Sequence, residues 1–155
     1  MSQGIYSALT YLENRLMEIT PKRDVHHGFV ALGRAGGITT PLTQRAHSTR
    51  YFTLEIDGFT EDDGAAGLSG RRRATINLNV RYDTPQDQLY LQRLIAEDAE
   101  SLLVKLKGPN YDLITTGIVS VIPETPTVSP IDVVNDQGGA LLLTLPFVLL
   151  YLEAT

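Results

Sequence analysis

From Arg71 to Tyr82 polar and apolar residues alternate. Ala74, Ile76, Leu78, Val80 and Tyr82 fall on one face; Arg73, Thr75, Asn77, Asn79 and Arg81 fall on the other. A period of two predicts a half-buried strand. The period then changes. Thr84 suits a helix N-cap, Pro85 the first helical position and Asp87 the capping-box position, although Asp is shorter than the usual Glu. Leu91, Ile95, Ala99, Leu102 and Leu106 form the apolar stripe of a helix that Gly108-Pro109 ends. Asp87 stands at the positive end of its dipole, Lys105 and Lys107 at the negative end. Arg93 and Glu97 are spaced to pair at i, i+4. Asp98 falls on the flank of the stripe and is expected in water, the alternative being an arginine across an interface.

The same patterns run outward in both directions. Residues from Ser2 to Ile19 read as a helix, with Ile5, Leu9, Leu12, Leu16 and Ile19 in its stripe and Thr20-Pro21 at its end. Tyr6 and Met17 lie beside that stripe, either widening the core face or touching a neighbouring subunit. Between Lys22 and Arg50 the signal is a short strand at Phe29-Val30-Ala31-Leu32, a glycine turn after it, and a long loop rich in Thr, Ser and Pro. Phe52, Leu54 and Ile56 alternate with Thr53, Glu55 and Asp57. With the strand at Arg71 they predict a long hairpin, Tyr51 to Tyr82, with a flexible tip at Gly58 to Gly70. Leu113 to Ile122 reads as an uncharged strand with Gly117 as a possible bulge. Pro123 to Gly139 reads as a loop kept extended by its prolines. Ala140 to Glu153 is the last strand, apolar on both faces apart from Thr144, with an edge or bulge at Pro146.

The predicted order is α-β-β-α-β-β: an α+β fold, in which both helices pack on one face of an antiparallel sheet. Residues 1–155 form one domain in this reading, long enough to build a core without disulfides. The far face of the sheet is then polar on the first hairpin and apolar on the last strand. Such a strip is not left in water, and a subunit contact is the natural cover.

Composition narrows the function. There are 13 Lys and Arg against 18 Asp and Glu, a net charge of −5. That balance argues against general nucleic-acid or membrane-surface binding. The chain has no cysteine, which removes cysteine-based metal sites and catalysis. Met1-Ser2-Gln3-Gly4 shows neither the basic nor the apolar region of a signal peptide. Ala140 to Leu152 is uncharged but shorter than the roughly 20 residues of a spanning helix.

Reacting groups are not assembled by any motif. Asp24-x-His26 has no third ligand at a recognisable spacing, so no metal is assigned. His47-Ser48 lacks a nucleophile elbow, and Gly33-Arg34-Ala35-Gly36-Gly37 matches neither a P-loop nor a dinucleotide fingerprint. No catalytic residue and no cofactor is expected. Arg71-Arg72-Arg73 is a cationic cluster, with Arg71 and Arg73 on the face of Arg81. It is a solvated strand end, an electrostatic partner for Glu61-Asp62-Asp63 in the same or the next subunit, or the patch of a small binding module.

In element order the chain resembles the phage tail terminator (tail-completion) family. The likeness rests on the helix at Ser2 to Ile19, the hairpin at Tyr51 to Tyr82, the helix at Thr84 to Lys107 and the closing hairpin at Leu113 to Glu153. It is one of order and character, without a short diagnostic motif. The resemblance implies a homohexameric ring that binds the last ring of the tail tube protein, stops tube growth and meets the head–tail connector. DNA would pass through its lumen without specific binding. It implies a virion location in the tail or neck, after assembly in the bacterial host cytoplasm, with no membrane partner and no enzyme activity. A head-completion or connector subunit of the neck is the alternative within the same class. The residues expected at subunit or tube contacts are Glu61, Asp62, Asp63 and Leu68 in the hairpin tip, Arg71, Arg72, Arg73 and Arg81 on its second strand, Asp98 on the helix, and Leu150 and Leu152 on the last strand.

Overall fold

A computed structural model describes residues 4–23, 28–31, 50–61, 71–83, 88–108, 111–131 and 140–152. The order is α1 (Gly4–Met17), β1 (Phe29–Ala31), β2 (Arg50–Glu61), β3 (Arg71–Asp83), α2 (Gln88–Lys107), α3 (Leu113–Thr116), β4 (Ile118–Pro123), β5 (Thr127–Ile131) and β6 (Ala140–Leu152). The fold is α+β. Its six-stranded sheet runs β1-β2-β3-β6-β4, and β5 pairs with β6 as well. The sheet is mixed and not purely antiparallel as expected, because β1 runs parallel to β2. Parallel strands cannot be joined by a tight turn. The long segment between them is the length that a parallel return requires.

β3 and β6 form the centre, paired along their whole length from Arg71↔Leu152 to Asp83↔Ala140. At about 3.4 Å per residue each is roughly 40 Å long. This register fixes where the hairpins point. The 62–70 connection leaves the sheet at the Arg71 end, and the 132–139 connection leaves it at the opposite, Ala140 end.

The alternation seen in the sequence sorts the faces. Ala74, Ile76, Leu78, Val80 and Tyr82 of β3 and Leu143, Leu145, Phe147 and Leu149 of β6 are buried under the helices. Ala8, Leu12 and Leu16 of α1 and Leu91, Leu94, Ile95, Leu102 and Leu106 of α2 complete that core. In α1 the stripe centres on Ala8 and Leu12, leaving Ile5, Leu9 and Ile19 partly buried. Met17 packs against the core as one reading had it, but Tyr6 is 76% exposed and does not widen the core face.

Two predictions on the second half are corrected. Leu113–Thr116 is a helical turn, not the start of a strand. Asp112 caps it, accepting from the Ile114 N–H at 3.2 Å and the Thr115 hydroxyl at 2.6 Å. Gly117 is no bulge: with φ 73° it is the left-handed C-cap, and its N–H donates to the Leu113 carbonyl. The proline-rich stretch is not all loop either. β5 lies within it as an edge strand, where Pro130 is tolerated. Pro146 sits opposite the break between β4 and β5, and its carbonyl accepts from the Glu124 N–H at 2.8 Å. Ala140–Leu152 is a strand, and among the described residues no helix is long and apolar enough to cross a membrane. The helix-start signals at Thr84 to Asp87 lie outside the described residues.

Candidate functional site

The face of the sheet away from the helices carries two parallel columns. On β3 stand Arg71, Arg73, Thr75, Asn77, Asn79 and Arg81; beside them on β6 stand Leu152, Leu150, Val148, Pro146, Thr144 and Leu142. Three of these cross-strand pairs join an arginine to a leucine: Arg71↔Leu152, Arg73↔Leu150 and Arg81↔Leu142. On β4, Ile122 is exposed next to Val148 and widens the apolar column. Leu142, Val148, Leu150 and Leu152 are all only half-buried.

A polar ladder crosses the middle of this face. Glu55 on β2 accepts from the Asn79 side-chain amide and from the Thr53 hydroxyl. Asn79 Oδ1 in turn accepts from the Thr144 hydroxyl at 2.9 Å. The ladder ties β2, β3 and β6 in one register. It also satisfies Thr144, the single polar interruption of the last strand.

Other expected contact residues fall elsewhere. Glu61 ends β2 and stands opposite Arg72 in the strand register. Arg72 belongs to the helix-side face by alternation, which divides the arginine cluster between the two faces. Asp62, Asp63 and Leu68 lie outside the described residues, as do His26, His27 and His47. Among the described residues no group of three His, Cys, Asp or Glu is placed to hold a metal ion.

Asp98 overturns the expectation of a solvated edge. It is 1% exposed and meets Arg50 of its own chain, which is fully buried. Arg50 Nε donates to Asp98 Oδ2 at 2.5 Å, and the Tyr82 hydroxyl donates to the same oxygen at 2.7 Å. Arg50 also donates through Nη2 to the Arg23 carbonyl at 2.6 Å, and its guanidinium lies over the Phe29 ring. Burial pushes the Asp98 carboxyl above its usual range; the bonds from Arg50 and Tyr82 work against that. Burial, with the Asp98 charge alongside, pushes the Tyr82 phenol well above its usual range. The cluster is closed to solvent and serves as a pin between α2, β2, β3 and the turn after α1. The missed signal was Leu94-Asp98-Leu102, an i, i+4, i+8 row at the centre of the buried stripe.

Two further pins hold the helices together. Arg15 donates to the Lys105 carbonyl at 3.0 Å, near the C-terminal end of α2, and lies over the Tyr111 ring. Arg23 pairs with Glu97, which replaces the Arg93–Glu97 pair expected along the helix. Between α2 and the β5 edge lies a groove of about 440 Å³, lined by Gln92, Ile95, Ala96, Ala99, Pro126, Val128, Leu141 and Leu143. None of the described residues that line it is titratable. The described lining is mainly apolar and suits apolar contact.

Neither a protein-family model nor a curated protein matches this chain.

Proposed function

We propose that this chain is a structural subunit of a phage tail. It forms a ring at the head-proximal end of the tail tube, ends tube polymerisation and joins the tail to the head connector. The observation that carries the reading is the outer sheet face, where half-buried leucines stand beside arginines and no described element packs over them. An apolar column of this kind is characteristic of a protein–protein contact. The connections of the β2–β3 and β5–β6 hairpins lie at opposite ends of one sheet, which suits a subunit that touches one neighbour above and another below. The net charge of −5 suits a conduit through which DNA passes without being held. On this reading the protein is a virion component of the tail or neck, assembled in the host cytoplasm, and it works without catalysis or cofactor.

The test is assembly. Purified protein should give a ring mass by native mass spectrometry and cap purified tail tubes. Replacing Arg71, Arg72 and Arg73 together should weaken ring formation. Deleting Gly64 to Gly67 should spare folding but impair docking to the tube. Normal virion assembly with that deletion sinks the role given to the hairpin tip. Binding to isolated connectors but never to tubes moves the assignment to a head-completion subunit. Retention of nucleic acid that the triple arginine variant abolishes moves it to a binding module.

A further inference from the structure

β5 is patterned as a half-buried strand and is not buried. Thr127 and Ser129 fall on the outer face of the sheet, Val128 and Pro130 on the helix side. Val128 pairs with Leu143, yet Leu143 is 1% exposed and Val128 51%. Cover from α2 therefore stops between β6 and β5. The groove lies there, with Ile95, Ala96 and Ala99 on the helix and Pro126 and Val128 on the strand side.

The hydrogen bonds fix which way β5 turns its backbone. The Pro146 carbonyl accepts from the Glu124 N–H, and the Leu152 N–H donates to the Gly117 carbonyl. Even-numbered residues of β6 thus turn their backbone groups towards β4 and β5. Leu142 and Thr144 stand opposite Ser129 and Thr127, so the backbone groups of Val128 and Pro130 face away from β6. That is where an edge strand tolerates a proline. The open edge offers one donor, the Val128 N–H, and two acceptors, the Val128 and Pro130 carbonyls. Among the described residues nothing bonds to them. Edges kept from pairing commonly carry charge, and Thr127–Ile131 carries none.

We infer that β5 takes up an extended segment of a different protein as a further strand of the sheet. That segment accepts from the Val128 N–H, donates to the Val128 and Pro130 carbonyls, and sets every second side chain beside Val128 at the groove. Those alternate side chains are apolar, to match the lining. A helix cannot fill the place, because its backbone groups are already paired within it. A second β5 fills it poorly: Pro126 and Pro130 flank the single donor, so two copies edge to edge make at most two bonds, one from each. A segment without proline also satisfies the second carbonyl. This contact does not depend on the role proposed for the chain in a tail.

The probe is a capped peptide of alternating valine and threonine with a terminal lysine, titrated into the full chain. Hydrogen exchange at the Val128 amide should slow, with a Kd of about 1 mM or lower. The same peptide N-methylated on the amides that face β5 should bind about tenfold more weakly, as the loss of edge bonds requires. Val128→Pro removes the one donor and spares the ladder, which runs through Thr127 and Ser129, so binding should fall by about tenfold with an unchanged circular dichroism spectrum. Ala96→Glu, at an exposed position on the groove wall, should weaken binding by a similar factor. If Val128→Pro fails to fold, the two peptides on the wild type still decide. Val128 exchange unaltered by the peptide overturns the contact, as does equal binding of the plain and N-methylated peptides. Val128 protected without peptide, in a chain that self-associates, overturns the choice of partner.

Discussion

Replacing Asp98 by leucine should cost about 3 kcal/mol of stability, although leucine is the residue its helix position calls for. Removing one partner of a buried ion pair typically costs about 3–5 kcal/mol, because the other charge is left uncompensated. The losses can be followed atom by atom. Arg50 Nε gives up a charge-assisted bond of 2.5 Å, a type worth about 1.5–3 kcal/mol. The Tyr82 hydroxyl, fully buried, loses its acceptor at 2.7 Å, which costs about 1–3 kcal/mol. Against this, the new side chain packs between Leu94 and Leu102, and a buried leucine contributes about 1.5–3 kcal/mol. The balance falls at the lower end of the range for broken pairs. Arg50→Met/Asp98→Leu should recover part of the loss and be more stable than Asp98→Leu, since no buried charge remains. Its residual deficit is the Tyr82 hydroxyl left without its acceptor and the bond from Arg50 to the Arg23 carbonyl. Urea denaturation followed by circular dichroism on the wild type, both single variants and the double variant closes a mutant cycle, with an expected coupling of at least about 2 kcal/mol. An Asp98→Leu chain as stable as the wild type, or a double variant no better than the single, would refute the pin.

The same cluster gives a pH dependence. The folded Asp98 carboxyl titrates above its usual range, so the fold holds a proton that the unfolded chain has released, and stability falls as pH rises through that window. Urea midpoints measured up the acid range should therefore fall for the wild type relative to Asp98→Asn. Tyr82 acts with the same sign at high pH: the unfolded phenol ionises first, and Tyr82→Phe should flatten the alkaline loss of stability. Gly117→Ala should cost about 1 kcal/mol by thermal melting, from left-handed backbone alone at φ 73° with open space around it. Gly108→Ala should cost a similar amount, from its own positive φ of 38°, with the Arg15 side chain shifting to clear the new Cβ. Gly58→Ala meets nothing within 4 Å and should leave the melting temperature unchanged.

Where the chain repeats a local period, its fold is legible. The β3 alternation, the long hairpin and most of the α2 stripe follow from spacing alone, because neighbours along one element share one environment. What spacing does not report is a partner far away in the chain. Arg50 ends a polar run and begins a strand, and nothing near it marks a buried cation; its carboxylate is 48 residues on. Asp98 was legible in part, since Leu94 and Leu102 bracket it on the helix, but charge outweighed position in the reading. The parallel pairing of β1 has no local signal, because a three-residue strand reads the same in either direction. The α3 turn did carry one: Asp112 and Gly117 bracket four residues as N-cap and C-cap, and an uncharged, β-branched run between them masked it.

Two of the departures from apolar inside and polar outside are not equivalent. The charge inside, Asp98, meets its counter-charge within the same chain through Oδ2, while its Oδ1 is buried without a hydrogen-bond partner among the described residues. Its effect is on stability and on the placing of α2 against the sheet. The apolar residues of the outer face, Leu142, Val148, Leu150 and Leu152, have no such closure among the described residues. Departures from local patterning that the fold does not compensate belong to function more often than to folding. The ion pair would survive in a solitary chain. The leucine column, with no described element over it, is the feature on which the proposed role in assembly rests.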